Sequence, residues 1–185
     1  MRDNKYYNMF INVRQMVLDA YTDIQIIETI SFFAKKHAEN NKRYKNNIVF
    51  ALGHIMDLAK KDLCLNVWKF AIDHGEEKNS LKSLRDYLAK RQSQIHIKLA
   101  KVGKNREEKI EDFRNKILAH NLKREEVESI KLNEFKQIVD NAINDIRQLC
   151  IQDIDERVVS ISNADLGAIK LSSHSAIFEL VKDLE

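Results

Sequence analysis

A chain of 185 residues with no proline and only four glycines lacks the usual breakers of helices and makers of tight turns. Average usage is roughly 5% proline and 7% glycine, so the shortfall is large. Composition alone therefore predicts an all-α protein. The length fits one domain, or one domain with a trailing segment, and suffices to bury roughly two-thirds of the unfolded chain's surface. Hydrophobic residues at 44% and charged residues at 32% are the proportions of a soluble globular protein.

Hydrophobic periodicity places five helical stretches. The first covers 4–38, with Phe10, Val13, Val17, Tyr21, Ile24, Ile27 and Ile30 at three- and four-residue steps and room for a break near Thr22 and Asp23. The second, 48–73, follows a polar turn and carries Leu52, Ile55, Leu58, Leu63, Val67 and Trp68. A loop then leads to Ser80, an N-cap for a third helix over 81–102 that Gly103 ends. The fourth spans 105–120 and the fifth 132–153, with Asn133 as the expected cap of the latter. "SSHSAIFELVKDLE" (172–185) reads as a short terminal helix after a serine cap. The organisation expected is an antiparallel bundle of four to five main helices over 1–155, with a C-terminal extension over 156–185 that packs on the bundle or on a partner.

No run approaches 18 consecutive apolar residues, and "MRDNKYYNMF" lacks the layout of a signal peptide. Cys64 and Cys150 stand far apart in apolar helical patterns, as small core residues do. A cytoplasmic protein without structural disulfides or membrane contact is expected. The net charge of +3 permits nucleic acid as a partner without demanding it. His37, His54, His74, His96 and His174 form no tight metal pair, and glycine-rich phosphate loops are absent, so neither a metal site nor a cofactor is expected.

"EDFRNKILAHN" (111–121) carries the functional reading. On an ideal helix with Phe113 at zero, Ile117 falls at about 40°, Ile110 at about 60° and Leu118 at about 140°. Arg114, at about 100°, lies inside this apolar arc, and His120, at about −20°, lies beside Phe113. A polar group on a buried stripe must be paired or must face something charged. Arg114 can snorkel to solvent or pair with a carboxylate, and His120 can bond the last carbonyls of its helix. The other possibility is that the pair forms a site.

Arg-Asn-x-x-x-Ala-His at the end of an amphipathic helix resembles the arginine and histidine motif of the HEPN superfamily, whose two residues stand four to six apart with a polar residue often after the arginine. Upstream, "LCLNVWKFAIDHGEEKNSLKSLRDYL" (63–88) is similar to the HEPN branch linked to bacterial abortive infection: an apolar helix ending in Trp68 and Asp73, a polar loop, then Ser-Leu-x-x-Leu opening the next helix. The similarity runs over roughly 10–150 and is weak in the first third. It implies a HEPN-like bundle acting as a metal-independent endoribonuclease, a homodimer through the motif helix, and a toxin of antiviral or toxin–antitoxin systems with a cognate antitoxin protein. Arg114, Asn115 and His120 would be the catalytic set: phosphate clamp, orienting group and acid–base residue. Relatives that are neutralised by nucleotide attachment carry a tyrosine two residues after the histidine, where this chain has Leu122.

The residue chemistry agrees with that implication. Metal-free RNA cleavage uses the ribose 2′-OH against the neighbouring phosphate, which needs a base, an acid and positive charge on the transition state. Histidine serves either proton role near neutral pH, and arginine matches phosphate oxygens with a cationic fork. One chain supplies one motif histidine, and two chains meeting on a two-fold axis would supply the acid–base pair. Lys98, Lys101, Lys104, Arg106 and Lys116 form the expected RNA track. The rival reading is a catalytically inactive HEPN-like bundle serving as an RNA- or protein-binding module.

Overall fold

A computed structural model describes residues 4–39, 46–72, 79–91, 98–118, 131–152 and 157–182. Among these residues it is all-helical, with six helices in the order α1 (Asn4–Glu39), α2 (Asn46–Ala71), α3 (Leu81–Arg91), α4 (Lys104–Leu118), α5 (Leu132–Gln152) and α6 (Asn163–Lys182). No helix among the described residues is long and apolar enough to cross a membrane.

Helix α1, about 54 Å long at 1.5 Å per residue, is the spine on which α2, α3, α5 and α6 pack. Its buried side runs through Tyr6, Phe10, Val13, Val17, Ala20, Ile24 and Ile27. That side closes against Leu63, Cys64 and Val67 of α2 and against Ile138, Ala142, Ile146 and Leu149 of α5. Leu81, Leu84 and Leu88 of α3, one helical turn apart each, cover another part of the same core. The break allowed near Thr22 does not occur. Thr22 Oγ1 donates to the Leu18 carbonyl at 2.9 Å, and the helix runs on.

Three helix ends differ from expectation. Helix α3 ends at Arg91, and 98–103 has no regular structure; the carboxylate of Asp145 takes up the Ala100 N–H, which no helical carbonyl then needs to accept. Helix α5 is capped by Lys131 rather than Asn133: the Lys131 carbonyl accepts the N–H of Glu134 at 2.8 Å, while Glu134 Oε2 accepts the Lys131 N–H at 3.0 Å. Helix α6 begins nine residues before Ser172, at Asn163, behind a reciprocal box in which Ser162 Oγ accepts the Asp165 N–H at 3.1 Å and Asp165 Oδ2 accepts the Ser162 N–H at 2.9 Å.

These bonds from Ser162 hold the Asp165 carboxyl below its usual range, and Arg14 Nη2 of α1 approaches the same oxygen at 3.4 Å. Ile177 and Val181 of α6 then join Ile30, Phe33, Ile48 and Leu52 in a second, smaller cluster at the far end of α1. Ser80, 2% exposed, caps α3 as expected, its Oγ accepting the Ser83 N–H at 3.1 Å.

One polar group is out of place in the α1–α2 seam. Asp23 Oδ2 is buried and has no hydrogen-bond partner among the described residues, and burial beside Asp62 and Asp19 pushes the carboxyl up to about 8. The folded chain thus holds a proton that the unfolded chain releases near pH 3.9. The stability this proton contributes is full below about pH 4, falls as pH rises, and is gone above about 8. Asp23→Asn should therefore raise the melting temperature at pH 8 and change it little at pH 4. After discounting for the part of the side chain that water reaches, the gain at pH 8 is about 1–3 kcal/mol. Parallel thermal melts of parent and variant between pH 4 and 9 measure it. Equal differences at both ends would remove Asp23 as the source.

Candidate functional site

Helix α4 starts where the Gly103 carbonyl accepts the N–H groups of Arg106 and Glu107 at 2.8 and 3.0 Å. Two turns in, Ile110 is fully buried against α2. The Cys64 thiol donates to the Ile110 carbonyl at 3.7 Å, and burial pushes that thiol up to about 12, so it stays neutral. Ile110 is the pin that fixes α4 on α2.

Four residues along each helix from this pin stand Arg114 and Trp68, on the same faces as Ile110 and Cys64. Arginine in a helix leans toward the N-terminus, which carries the guanidinium back over the indole. Its central carbon sits 4.2 Å from the Trp68 ring centroid. A cation over tryptophan at this range contributes about 0.5–2 kcal/mol. Arg114 Nη1 also donates to Asn115 Oδ1 at 2.8 Å.

No carboxylate among the described residues pairs with Arg114. Its polar group lies on the apolar arc because an aromatic face, not an acid, receives it there. Among the described residues the guanidinium is oriented without being neutralised, and its remaining N–H groups have the capacity for an anion.

Asn115 is exposed, on the charged side of α4 as the ideal wheel requires, yet it still reaches its neighbour's guanidinium. In the sequence Trp68 stands as an apolar position of α2 and as part of the helix end that carries the family resemblance, with nothing to tie it to Arg114. What singles it out is its place one turn beyond Cys64 on the face that meets α4. His120 lies outside the described residues, as do the side chains of Ile117 and Leu118.

The expected RNA track divides. Lys98, Lys101, Lys104 and Lys116 are exposed. Arg106 instead braces α4 to α5, with Nη1 donating to Gln137 Oε1 at 2.9 Å and Nε 3.5 Å from Glu134 Oε1. Lys101 and Arg106 also meet Lys82 and Arg85 of α3 around a cavity of about 430 Å³ between α3, the 98–103 segment, α4 and α5. Asp145 lines it and is 7% exposed, and burial pushes its carboxyl up against the opposing bond from Ala100. Among the described residues, no three His, Cys, Asp or Glu side chains come together as a metal-ligand set. His54 and His174 are exposed, the latter stacked on Phe33 at 5.6 Å.

Compared with protein-family models, with curated proteins and with solved structures, the chain matches none of them.

Proposed function

We propose that this chain is a HEPN-type, metal-independent endoribonuclease, active as a homodimer and serving as a toxin in prokaryotic antiviral defence or a toxin–antitoxin system. The observation that carries the reading is the Arg114 guanidinium, seated on Trp68 and bonded to Asn115, with no acid pairing with it among the described residues. A cation kept in place by an aromatic face and an amide suits a dianionic phosphorane better than it suits a purely structural role.

The chemistry assigned to the site is transesterification. The ribose 2′-OH loses its proton to one His120 and attacks the adjacent phosphorus. The 5′-oxygen leaves with a proton from the partner's His120, and a 2′,3′-cyclic phosphate remains. Arg114 binds the non-bridging oxygens as negative charge builds on them, and Asn115 holds its fork at a fixed angle. Both helices of the motif pair contribute, so a monomer lacks half of the acid–base set.

The test is incubation of total cellular RNA with the purified protein in EDTA, beside His120→Ala and Arg114→Ala. Discrete fragments are expected from the parent, with losses of about 10²–10⁴ in the histidine variant. If the parent leaves RNA intact while it and both variants bind RNA or a partner protein equally, the inactive binding module becomes the better reading.

A further inference from the structure

The cavity beside α4 has the chemistry of a base-reading pocket. Its size, about 430 Å³, is that of a site for one small ligand. The walls include the aliphatic side chains of Leu81, Leu99 and Ile138, which suit the faces of a heterocycle. Lys82 and Lys101 supply positive charge at its wall, of the kind that holds a phosphate-linked strand, while Arg85 is paired with Asp86 at 2.6 Å, Arg106 with Glu134, and Glu107 joins the lining. Asn141 and Asp145, one turn apart on α5, add an amide and a carboxylate to the same lining.

Asp145 is the decisive group. Its carboxylate has room for about four hydrogen bonds. The Ala100 N–H serves both oxygens, at 3.1 and 3.4 Å, and is the one donor that reaches them among the described residues. A buried anion with so few donors is costly unless a ligand brings more. Its raised protonation range has the same origin.

We infer that this cavity binds an unpaired guanine nucleotide of the RNA, with Asp145 accepting from its Watson–Crick edge. Guanine presents two adjacent donors there, the ring N1–H and the exocyclic N2 amine, which match the two oxygens of one carboxylate. Adenine, cytosine and uracil each place an acceptor beside the donor, and that acceptor meets the carboxylate unfavourably. Asn141 provides a donor suited to the guanine O6. The cavity is lined by Arg106 and Glu107 of the first turn of α4, and Arg114 lies eight residues beyond Arg106, a rise of about 12 Å along that helix. One strand therefore reaches both, with the pocket choosing the base and Arg114 holding a phosphate. The inference rests on RNA being the substrate, but not on His120 performing the chemistry.

Fluorescein-labelled 2′-O-methyl pentanucleotides, uridine except for a central G, A, C or U, test it by anisotropy with the intact parent chain in EDTA. The 2′-O-methyl group prevents cleavage. The guanine oligonucleotide is expected to bind about tenfold more tightly than the other three, within the range of a bidentate base contact. Asp145→Asn should level the four affinities, and Lys82→Glu with Lys101→Glu should weaken all four alike. Equal affinities in the parent, or a guanine preference that survives Asp145→Asn, would overturn the pocket alone. The parent's preference decides even if the Asp145 variant fails to fold. Failure of every oligonucleotide to bind would overturn the pocket and the RNA reading together.

Discussion

Arg114→Ala is expected to slow RNA cleavage by about 10²–10³, the usual loss when one donor to a developing oxyanion is removed. The cost to folding should be at most about 2 kcal/mol. The guanidinium is only half-buried, and its contact with Trp68 contributes about 0.5–2 kcal/mol. Arg114→Lys should recover little of the rate, because an ammonium keeps the charge but loses the planar fork and most of the stacking. Asn115→Ala should fall between parent and Arg114→Ala, since it frees the guanidinium to rotate while leaving the charge in place. Single-turnover rates on a defined RNA, taken with its binding affinity, check the series. A loss confined to affinity, with the cleavage step unchanged, would make Arg114 an RNA anchor rather than a transition-state clamp.

Phe10→Ala is expected to have the opposite profile. Phe10 is fully buried on α1 within the main core, and replacement by alanine there costs about 3–5 kcal/mol. For a domain of this size that lowers the melting point by roughly 6–20 °C. Well below the new midpoint, cleavage per folded molecule should equal that of the parent. Thermal melts and active-fraction titration measure the two quantities separately. A rate defect in fully folded Phe10→Ala would mean that the core and the site are coupled in a way this packing gives no reason for.

The contrast between these two residues reflects what a sequence can carry. Phe10 belongs to a repeat of three- and four-residue steps, and periodicity alone places it inside. The helices α1, α2, α4 and α5 were legible for that reason, as was the Ser80 cap. The spacing of Ile95, Leu99 and Val102 predicts a longer α3 than the structure has, because the chain has left helical geometry by 98, where Asp145 anchors it through Ala100. Helix α6 begins before the stretch its pattern predicts because Leu166 and Ile169 are only partly buried and Leu171 is exposed, which leaves 163–171 without a one-sided apolar face.

The site divides along the same line. Arg114 and Asn115 are neighbours in the chain, so their pairing was open to inspection in a short string. The Trp68 platform and the Asp145 cavity join residues from different helices, and no local pattern announces such pairs. Arg106, expected beside RNA, is bonded across to α5 by Gln137 and Glu134, partners 31 and 28 residues away.

The central claim is that Arg114 and His120 promote attack by the ribose 2′-OH, and one substrate tests this most directly. Once a cut has been mapped, an RNA is synthesised with a single 2′-deoxy nucleotide on the 5′ side of that bond and is otherwise unchanged. This bond should no longer be cut, while the all-ribose control should be cut in EDTA to leave a 2′,3′-cyclic phosphate. Cleavage of the deoxy bond, or a control product ending in a 3′-hydroxyl, would contradict it.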